Sequence, residues 1–233
     1  MIVIASVGDR FIYENLKYIN KHNKNEKICI VDNISQGSKY FSKVKSLYPN
    51  LDIDVIDSQK NLREWGSWWA AYKKYPNEPH YCFIHDSMYL KQDIKKYIPN
   101  NNEAYAFAVR RGWVNPAYKK SSFILKTSKM FGYKIEQGNN FYLIYGCMFI
   151  VDQQTIKEME RVGIMSVHAK DRNDACSSER ALGHIFKKLG IRVTYFTDKT
   201  PSGRNKRGLN NLSNPVITEN DLYIKIRTGR NYK

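Results

Sequence analysis

The sequence predicts a single-domain α/β protein in which a mixed, mostly parallel sheet is flanked by helices. Short apolar runs rich in β-branched residues alternate with segments of helical spacing along the first half of the chain. These runs show no clean polar–apolar alternation, which is typical of strands covered on both faces. With 233 residues, of which 42% are hydrophobic, the chain is long enough to bury one sizeable core.

Four strands are predicted in the first half of the chain, with helices between them. The strands are the apolar runs 2–7, 28–31, 51–56 and 81–84. The helices are the segments 13–23, 40–47 and 61–75. The third helix carries Trp65, Trp68 and Trp69 at helical spacing, which predicts that these rings pack mostly in the core.

The second half is predicted to contain two extended pieces, one long helix and a late strand. The extended pieces are 105–109 and 141–151, and the late strand is 191–196. The helix covers 178–189, because apolar residues recur on one side of it. Ser177 or Ser178 can cap its start, and Gly190 stands where a helix commonly ends.

The composition changes after the late strand. Residues 197–214 are rich in Gly, Pro, Ser, Asn and basic residues, which predicts a mobile loop. The stretch 222–227 is extended in pattern and places Lys225 and Arg227 on one side, with Arg230 just beyond. We therefore expect one domain, 1–233, whose segment 197–233 is a mobile basic loop and C-terminal piece.

The net charge and the hydropathy of the chain indicate its possible partners and its cellular location. The net charge of +16 attracts polyanions such as nucleic acid, anionic membranes or polyanionic glycans, although a solvated basic surface explains it equally well. No helix-turn-helix, zinc or RNP-type pattern is present in the sequence, so nucleic acid is not the favoured partner. No apolar run approaches the length of a membrane span, and the apolar N-terminus lacks a basic leader region, which predicts a soluble, cytoplasmic protein with reduced cysteines.

Polar side chains follow the predicted parallel strands, where ligands bind in open α/β sheets. Ser6 ends the first strand, Asp32 and Asn33 follow the second, and His85, Asp86 and Ser87 follow the fourth. The third strand leads into the helix that contains Glu64, Trp65 and Gly66. This edge of the sheet predicts a site for a nucleotide and a hard cation.

The order of these elements, and above all the segment YCFIHDSMYL, resembles the GT-A family of glycosyltransferases. In that family an Asp-x-Asp motif after the fourth strand holds a divalent metal on the diphosphate of the sugar nucleotide. Here the motif reads His85-Asp86-Ser87, so the resemblance implies that Asp86 is the one carboxylate on Mn²⁺ or Mg²⁺, and that the metal could be dispensable. The segment FYLIYGCMFIVDQQTIKEME is similar to the family's glycine-containing strand on the acceptor side, and SSERALGHIFKKLG implies Glu179 as the base of an inverting enzyme.

The resemblance implies a role for each remaining candidate. Asp32 and Asn33 would contact the nucleoside, and the segment 64–66 would line the donor pocket. Lys225, Arg227 and Arg230 would fold over the phosphates and close the donor site. The expected reaction is transfer of a sugar from a nucleoside diphosphate, with UDP favoured, to a glycan or other hydroxyl acceptor.

Two alternatives remain open from the sequence. One is a nucleic-acid-binding α/β module that uses the basic charge, and the other is a nucleotidyltransferase or another phosphate-handling α/β enzyme. A Gly-rich phosphate loop is absent after the first strand, where the chain reads SVGDR.

Overall fold

A computed structural model describes residues 1–7, 11–33, 38–58, 62–112, 118, 120–136, 138, 140–196 and 222–225. Its centre is a seven-stranded sheet, and the prediction of a mixed, mostly parallel sheet flanked by helices is confirmed. The strands in chain order are β1 Ile2–Ser6, β2 Ile28–Asp32, β3 Ile53–Asp57, β4 His80–His85, β5 Met88–Leu90, β6 Glu103–Ala106, β7 Val109–Arg111, β8 Tyr142–Ile144, β9 Phe149–Asp152, β10 Arg192–Tyr195 and β11 Tyr223–Lys225.

The central sheet has the strand order β10-β6-β9-β4-β1-β2-β3. β4, β1, β2 and β3 run parallel, and β10 runs parallel to β6. β9 lies antiparallel between β4 and β6. Because β9 runs in the opposite direction, the turn before it reaches the edge where β4 ends, and this brings the turn to the candidate site.

Seven helices are described, namely α1 Phe11–His22, α2 Ser38–Phe41, α3 Val44–Leu47, α4 Arg63–Lys74, α5 Ser122–Phe131, α6 Gln153–Arg161 and α7 Arg172–Lys188. The segment predicted as one helix at 40–47 is two short helices. The extended piece predicted at 141–151 is divided into β8 and β9 by a 3-10 turn, Tyr145–Cys147. The piece predicted at 105–109 is likewise divided between β6 and β7.

The start of α7 differs most from the prediction. The helix begins at Arg172, six residues before the predicted start, and Asp171 caps it by accepting a hydrogen bond from the backbone N–H of Asp174. The predicted caps Ser177 and Ser178 are instead buried within the helix. The first turns of α7 are polar, so apolar periodicity does not reveal them. Glu179 therefore lies inside the helix and not in its first turn.

The two faces of the sheet pack into two apolar layers. The prediction that the tryptophans of α4 are core residues is confirmed, since Trp65, Trp68 and Trp69 are all at most 2% exposed. Cys29 and Cys82, on β2 and β4, are buried free thiols, as predicted. In the described part of the chain, no helix has the length and hydropathy needed to cross a bilayer.

Candidate active site

The carboxyl ends of β1, β2 and β4 bring three predicted site residues to one rim. Ser6 is the register partner of Asp32, and the backbone N–H of Asp86 donates to the carbonyl of Ala5 at 3.1 Å. The Asp86 carboxylate accepts hydrogen bonds from the Ser6 hydroxyl at 3.0 Å and from the backbone N–H of Val7 at 3.2 Å. Asp32 and Asp86 are 3% and 4% exposed, so both carboxylates lie in the interior of this rim. Ser87 follows and is buried as well.

The side chains at this rim can hold a metal ion only together with oxygen atoms of a bound ligand. Within the residues that the structure describes, no group of three His, Cys, Asp or Glu side chains is arranged to hold a cation. Asp86 would contribute one carboxylate. Diphosphate and water oxygens would have to complete the coordination, which is the usual arrangement for Mg²⁺.

The side chain of Asn33 has a structural role between β2 and α4. Its carbonyl oxygen accepts hydrogen bonds from the backbone N–H of Leu62 at 3.2 Å and from the Ser67 hydroxyl at 2.9 Å. These bonds fix the first turns of α4 against the end of β2. They account for the burial of Asn33 without any bound nucleoside.

Trp65 and Gly66 also have packing roles in α4. The Trp65 indole N–H donates to the carbonyl of Ile164 at 3.2 Å, and the ring packs edge-on against Phe123. A Cβ at Gly66 would lie 2.8 Å from the Cβ of Leu62, so the glycine allows Leu62 to pack closely against α4. Of the segment predicted to line the donor pocket, Glu64 is the residue that lines a cavity.

A second group of predicted residues meets on the other side of β4. His85 Nε2 is 3.0 Å from the carbonyl oxygen of Gly146 and 3.8 Å from a Glu64 carboxylate oxygen. The imidazole stacks on the ring of Trp68. The backbone N–H of Gly146 donates to Glu179 at 2.7 Å. His85 and Glu179 therefore contact the carbonyl and the N–H of the same glycine.

Gly146 must be a glycine for this arrangement to form. Its φ is 60°, in the left-handed region that favours glycine. A Cβ at this position would lie 2.7 Å from an imidazole carbon of His85. The partner in this close approach is the imidazole of His85.

Glu179 is a carboxylate whose protonation is shifted by its surroundings. Burial, with a smaller contribution from the negative charge of Glu64, raises the pKa of Glu179 to about 7. The Gly146 N–H and the nearby Arg180 guanidinium oppose the increase. The side chain is 19% exposed, so it can still reach a bound molecule. A carboxyl group with a pKa near neutrality can accept or donate a proton during a reaction.

Glu179 faces a cavity of about 150 Å³ between α4, α7 and the turn before β9. Its lining includes two acidic and two basic residues, Glu64, Glu179, Arg63 and Arg172. By volume it admits roughly ten water molecules, which is room for one sugar ring or a group of similar size.

Backbone strain is concentrated at this cavity. Arg63 has a φ of 55° and Cys147 a φ of 49°, and both residues line the cavity beside Gly146. A left-handed conformation costs a residue with a side chain on the order of 1 kcal/mol or more, and such residues cluster at functional sites.

Three arginines at the site are not among the candidate residues named from the sequence. Arg63 and Arg172 line the cavity, and Arg180 lies 3.4 Å from Glu179 while its guanidinium covers the ring of Tyr118. A signal for Arg172 was present in its spacing. Arg172 and Glu179 are seven residues apart, so they share one helix face once the helix is extended to its true start.

The basic residues predicted to close the donor site belong to the C-terminal segment. Arg227 and Arg230 lie outside the described residues. Lys225 ends β11, which pairs with β5, but its side chain lies outside the described part as well. The proposed closure of the donor site by the segment 197–233 remains a prediction.

Three solved structures similar to this chain contain sugar nucleotides or sugar analogues. A mannosyltransferase from Pyrobaculum calidifontis in complex with GDP-Man and Mn²⁺ is 12% identical, with a TM-score of 0.50, over 88% of this chain and 57% of that one. S. aureus TarS 1–349 in complex with UDP-GlcNAc is 14% identical, with a TM-score of 0.48, over 85% of this chain and 56% of that one. The galactosyltransferase LgtC, in complex with donor and acceptor sugar analogues, is 10% identical, with a TM-score of 0.45, over 84% and 73% of the two chains.

The likeness shows the fold. The chain has a GT-A-type fold, as the sequence resemblance predicted. It spans little more than half the length of the mannosyltransferase and TarS chains. No protein-family model and no curated protein matches the sequence.

Proposed function

We propose that this GT-A-type domain is a glycosyltransferase that moves a sugar from a nucleoside diphosphate, with UDP favoured, to a hydroxyl acceptor. One observation carries the proposal. Glu179, a carboxylate with a pKa of about 7, faces a cavity of the size of a sugar ring. It contacts the same glycine as His85, the residue that precedes Asp86 at the end of β4.

Glu179 is proposed as the base that removes the proton of the acceptor hydroxyl. A base works best when its pKa lies near the pH of the reaction, and the pKa of about 7 meets that condition. The Gly146 N–H fixes one carboxylate oxygen at 2.7 Å, which orients the group toward the cavity. A base on the acceptor side accounts for the proposed inversion at the sugar carbon.

The nucleoside diphosphate is proposed to lie at the rim formed by Ser6, Asp32 and Asp86. Asp32 would bond to the nucleoside, and Asp86 would hold Mn²⁺ or Mg²⁺ together with diphosphate oxygens. When bound, such a cation neutralises charge on the leaving diphosphate. Mn²⁺ accompanies GDP-Man in the mannosyltransferase of the same fold, which supports this assignment.

Nucleotide binding and sugar transfer provide separate tests. UDP, GDP and dTDP are compared for their effect on the melting temperature, with and without Mn²⁺. We expect one of them to stabilise the protein, and we expect Asp86→Asn to lose most of that stabilisation. The proposal fails if none of the three nucleotides stabilises the wild-type protein.

Transfer is measured by release of the nucleoside diphosphate and by mass spectrometry of the glycosylated acceptor. Glu179→Gln should keep the nucleotide-induced stabilisation and lose about 100-fold or more in kcat, the usual effect of removing a general base. In the wild-type enzyme, kcat/KM should rise as the pH passes through about 7, because the ionised carboxylate is the active form. Full transfer by Glu179→Gln would remove Glu179 from this role.

A further inference from the structure

One face of α7 forms a continuous wall of the cavity. Arg172, Cys176 and Glu179 all line it, at the spacing i, i+4 and i+7. Seven residues of helix extend about 10 Å, so the backbone of Arg172 lies two turns from that of the proposed base. A molecule whose hydroxyl faces Glu179 would therefore present its next substituent to Arg172.

The charges around the cavity are not distributed evenly. Glu179 has the guanidinium of Arg180 beside it at 3.4 Å, and Glu64 faces the imidazole of His85 at 3.8 Å. Arg172 is exposed at the start of α7. Its guanidinium has no carboxylate of the described residues within ion-pair distance.

On the opposite wall, the second cavity arginine is held in a strained conformation. Arg63 adopts its positive φ at the first residue of α4, and the helix behind it is anchored by Asn33. Two guanidinium groups thus belong to one small cavity. Guanidinium groups bind carboxylates and phosphates through paired N–H donors, and they do so more strongly than they bind neutral hydroxyls.

We propose that the acceptor is an anionic glycan whose carboxylate or phosphate group, next to the reacting hydroxyl, is bound by Arg172. This inference rests on the proposed function, and it names the acceptor class of the same site. The net charge of +16 is consistent with a polyanionic acceptor chain that extends across the surface beyond the cavity.

The position of Arg172 favours the acceptor over the diphosphate of the donor. The rim proposed for the diphosphate consists of Ser6, Asp32 and Asp86, none of which lines the cavity. Arg172 belongs to the helix of the proposed base. A test must nevertheless distinguish the anionic group of the acceptor from the diphosphate of the donor, because a guanidinium binds either of them.

Three acceptor panels are compared at constant donor: neutral oligosaccharides, oligosaccharides that contain uronic acids, and glycans with phosphodiester links. The wild-type protein is expected to transfer to one of the anionic panels and to leave the neutral one largely unmodified. The uronate and phosphodiester panels identify the source of the negative charge. Equal or better transfer to neutral acceptors would overturn the inference.

Arg172→Gln and Arg172→Lys test the residue. The glutamine variant should raise the KM for the anionic acceptor about tenfold or more, and the lysine variant should recover part of this loss. Lys188→Gln, an exposed change of the same charge on the same helix, should leave the KM unchanged. Equal KM values for Arg172→Gln and the wild type would overturn the inference.

The melting-temperature shift with UDP is measured for the same variants. An unchanged shift in Arg172→Gln supports binding of the acceptor, and loss of the shift would assign Arg172 to the donor and overturn the inference. The two proposals fail in different ways. Without stabilisation by any nucleoside diphosphate the glycosyltransferase itself is rejected, whereas stabilisation and transfer without a preference for anions reject only the acceptor class.

Discussion

Glu179→Gln should make the protein more resistant to alkaline pH. Burial raises the pKa of Glu179 from its ordinary value of 4.5 to about 7 in the folded protein. The folded state therefore holds this proton more tightly than the unfolded chain does. Its contribution to stability is complete below about pH 4.5 and is lost as the pH rises through about 7.

The size of the effect follows from the gap between the two pKa values. It corresponds to about 3 kcal/mol at high pH, of which about 2.5 kcal/mol develops between about pH 5 and about pH 8. Glutamine has no proton to lose at this position, and its side-chain oxygen can still accept the Gly146 N–H. At 2–4 °C per kcal/mol, the melting temperature of the variant should gain about 5–10 °C on the wild type over that pH range.

Differential scanning calorimetry at several pH values measures this gain. Only the difference between variant and wild type is used, because the other titrating groups are common to both. Glu158→Gln is the matched control, since Arg161 lowers the pKa of this partly exposed carboxylate and its titration acts in the opposite direction. A difference between Glu179→Gln and the wild type that stays constant with pH would refute the assignment.

Three further substitutions test the surroundings of the site, and Gly138→Ala is a control. Gly146→Ala should lower the free energy of unfolding by about 2 kcal/mol or more, as measured by chemical denaturation. The reasons are the positive φ at this position and the contact of the new Cβ with the imidazole of His85. Glu64→Gln should lower the pKa of Glu179, because a negative charge beside it is removed. The loss of melting temperature with rising pH should then occur at lower pH than in the wild type. Gly183→Ala should cost about 3 kcal/mol or more, because its Cβ would overlap a backbone carbonyl of β8, whereas Gly138→Ala, with open space around it, should leave the denaturation midpoint nearly unchanged.

The parallel half of the sheet was predictable from the sequence because its strands are buried on both faces. β1, β2 and β4 appear as uninterrupted apolar runs, and their polar ends identify the rim of the site. The turn at Gly146 was harder to predict. Two short strands and a single 3-10 turn give no periodic signal in a stretch that is apolar throughout.

The cavity was not predictable from local patterns. It is formed by residues distant in sequence, such as Arg63 on α4 and Arg172 on α7. Because the first turns of α7 are polar, the sequence pattern does not indicate the helix face that Arg172 shares with Glu179. The packing role of Asn33 was not predictable either, since the sequence shows an amide at a strand end but not that its oxygen accepts hydrogen bonds from Leu62 and Ser67.

The anchoring of α4 has a consequence for how a ligand is received. The Asn33 amide fixes the first turns of the helix, and the Trp65 indole joins its next residues to the carbonyl of Ile164. This wall of the cavity is therefore preorganised, so it loses little conformational entropy when a ligand binds.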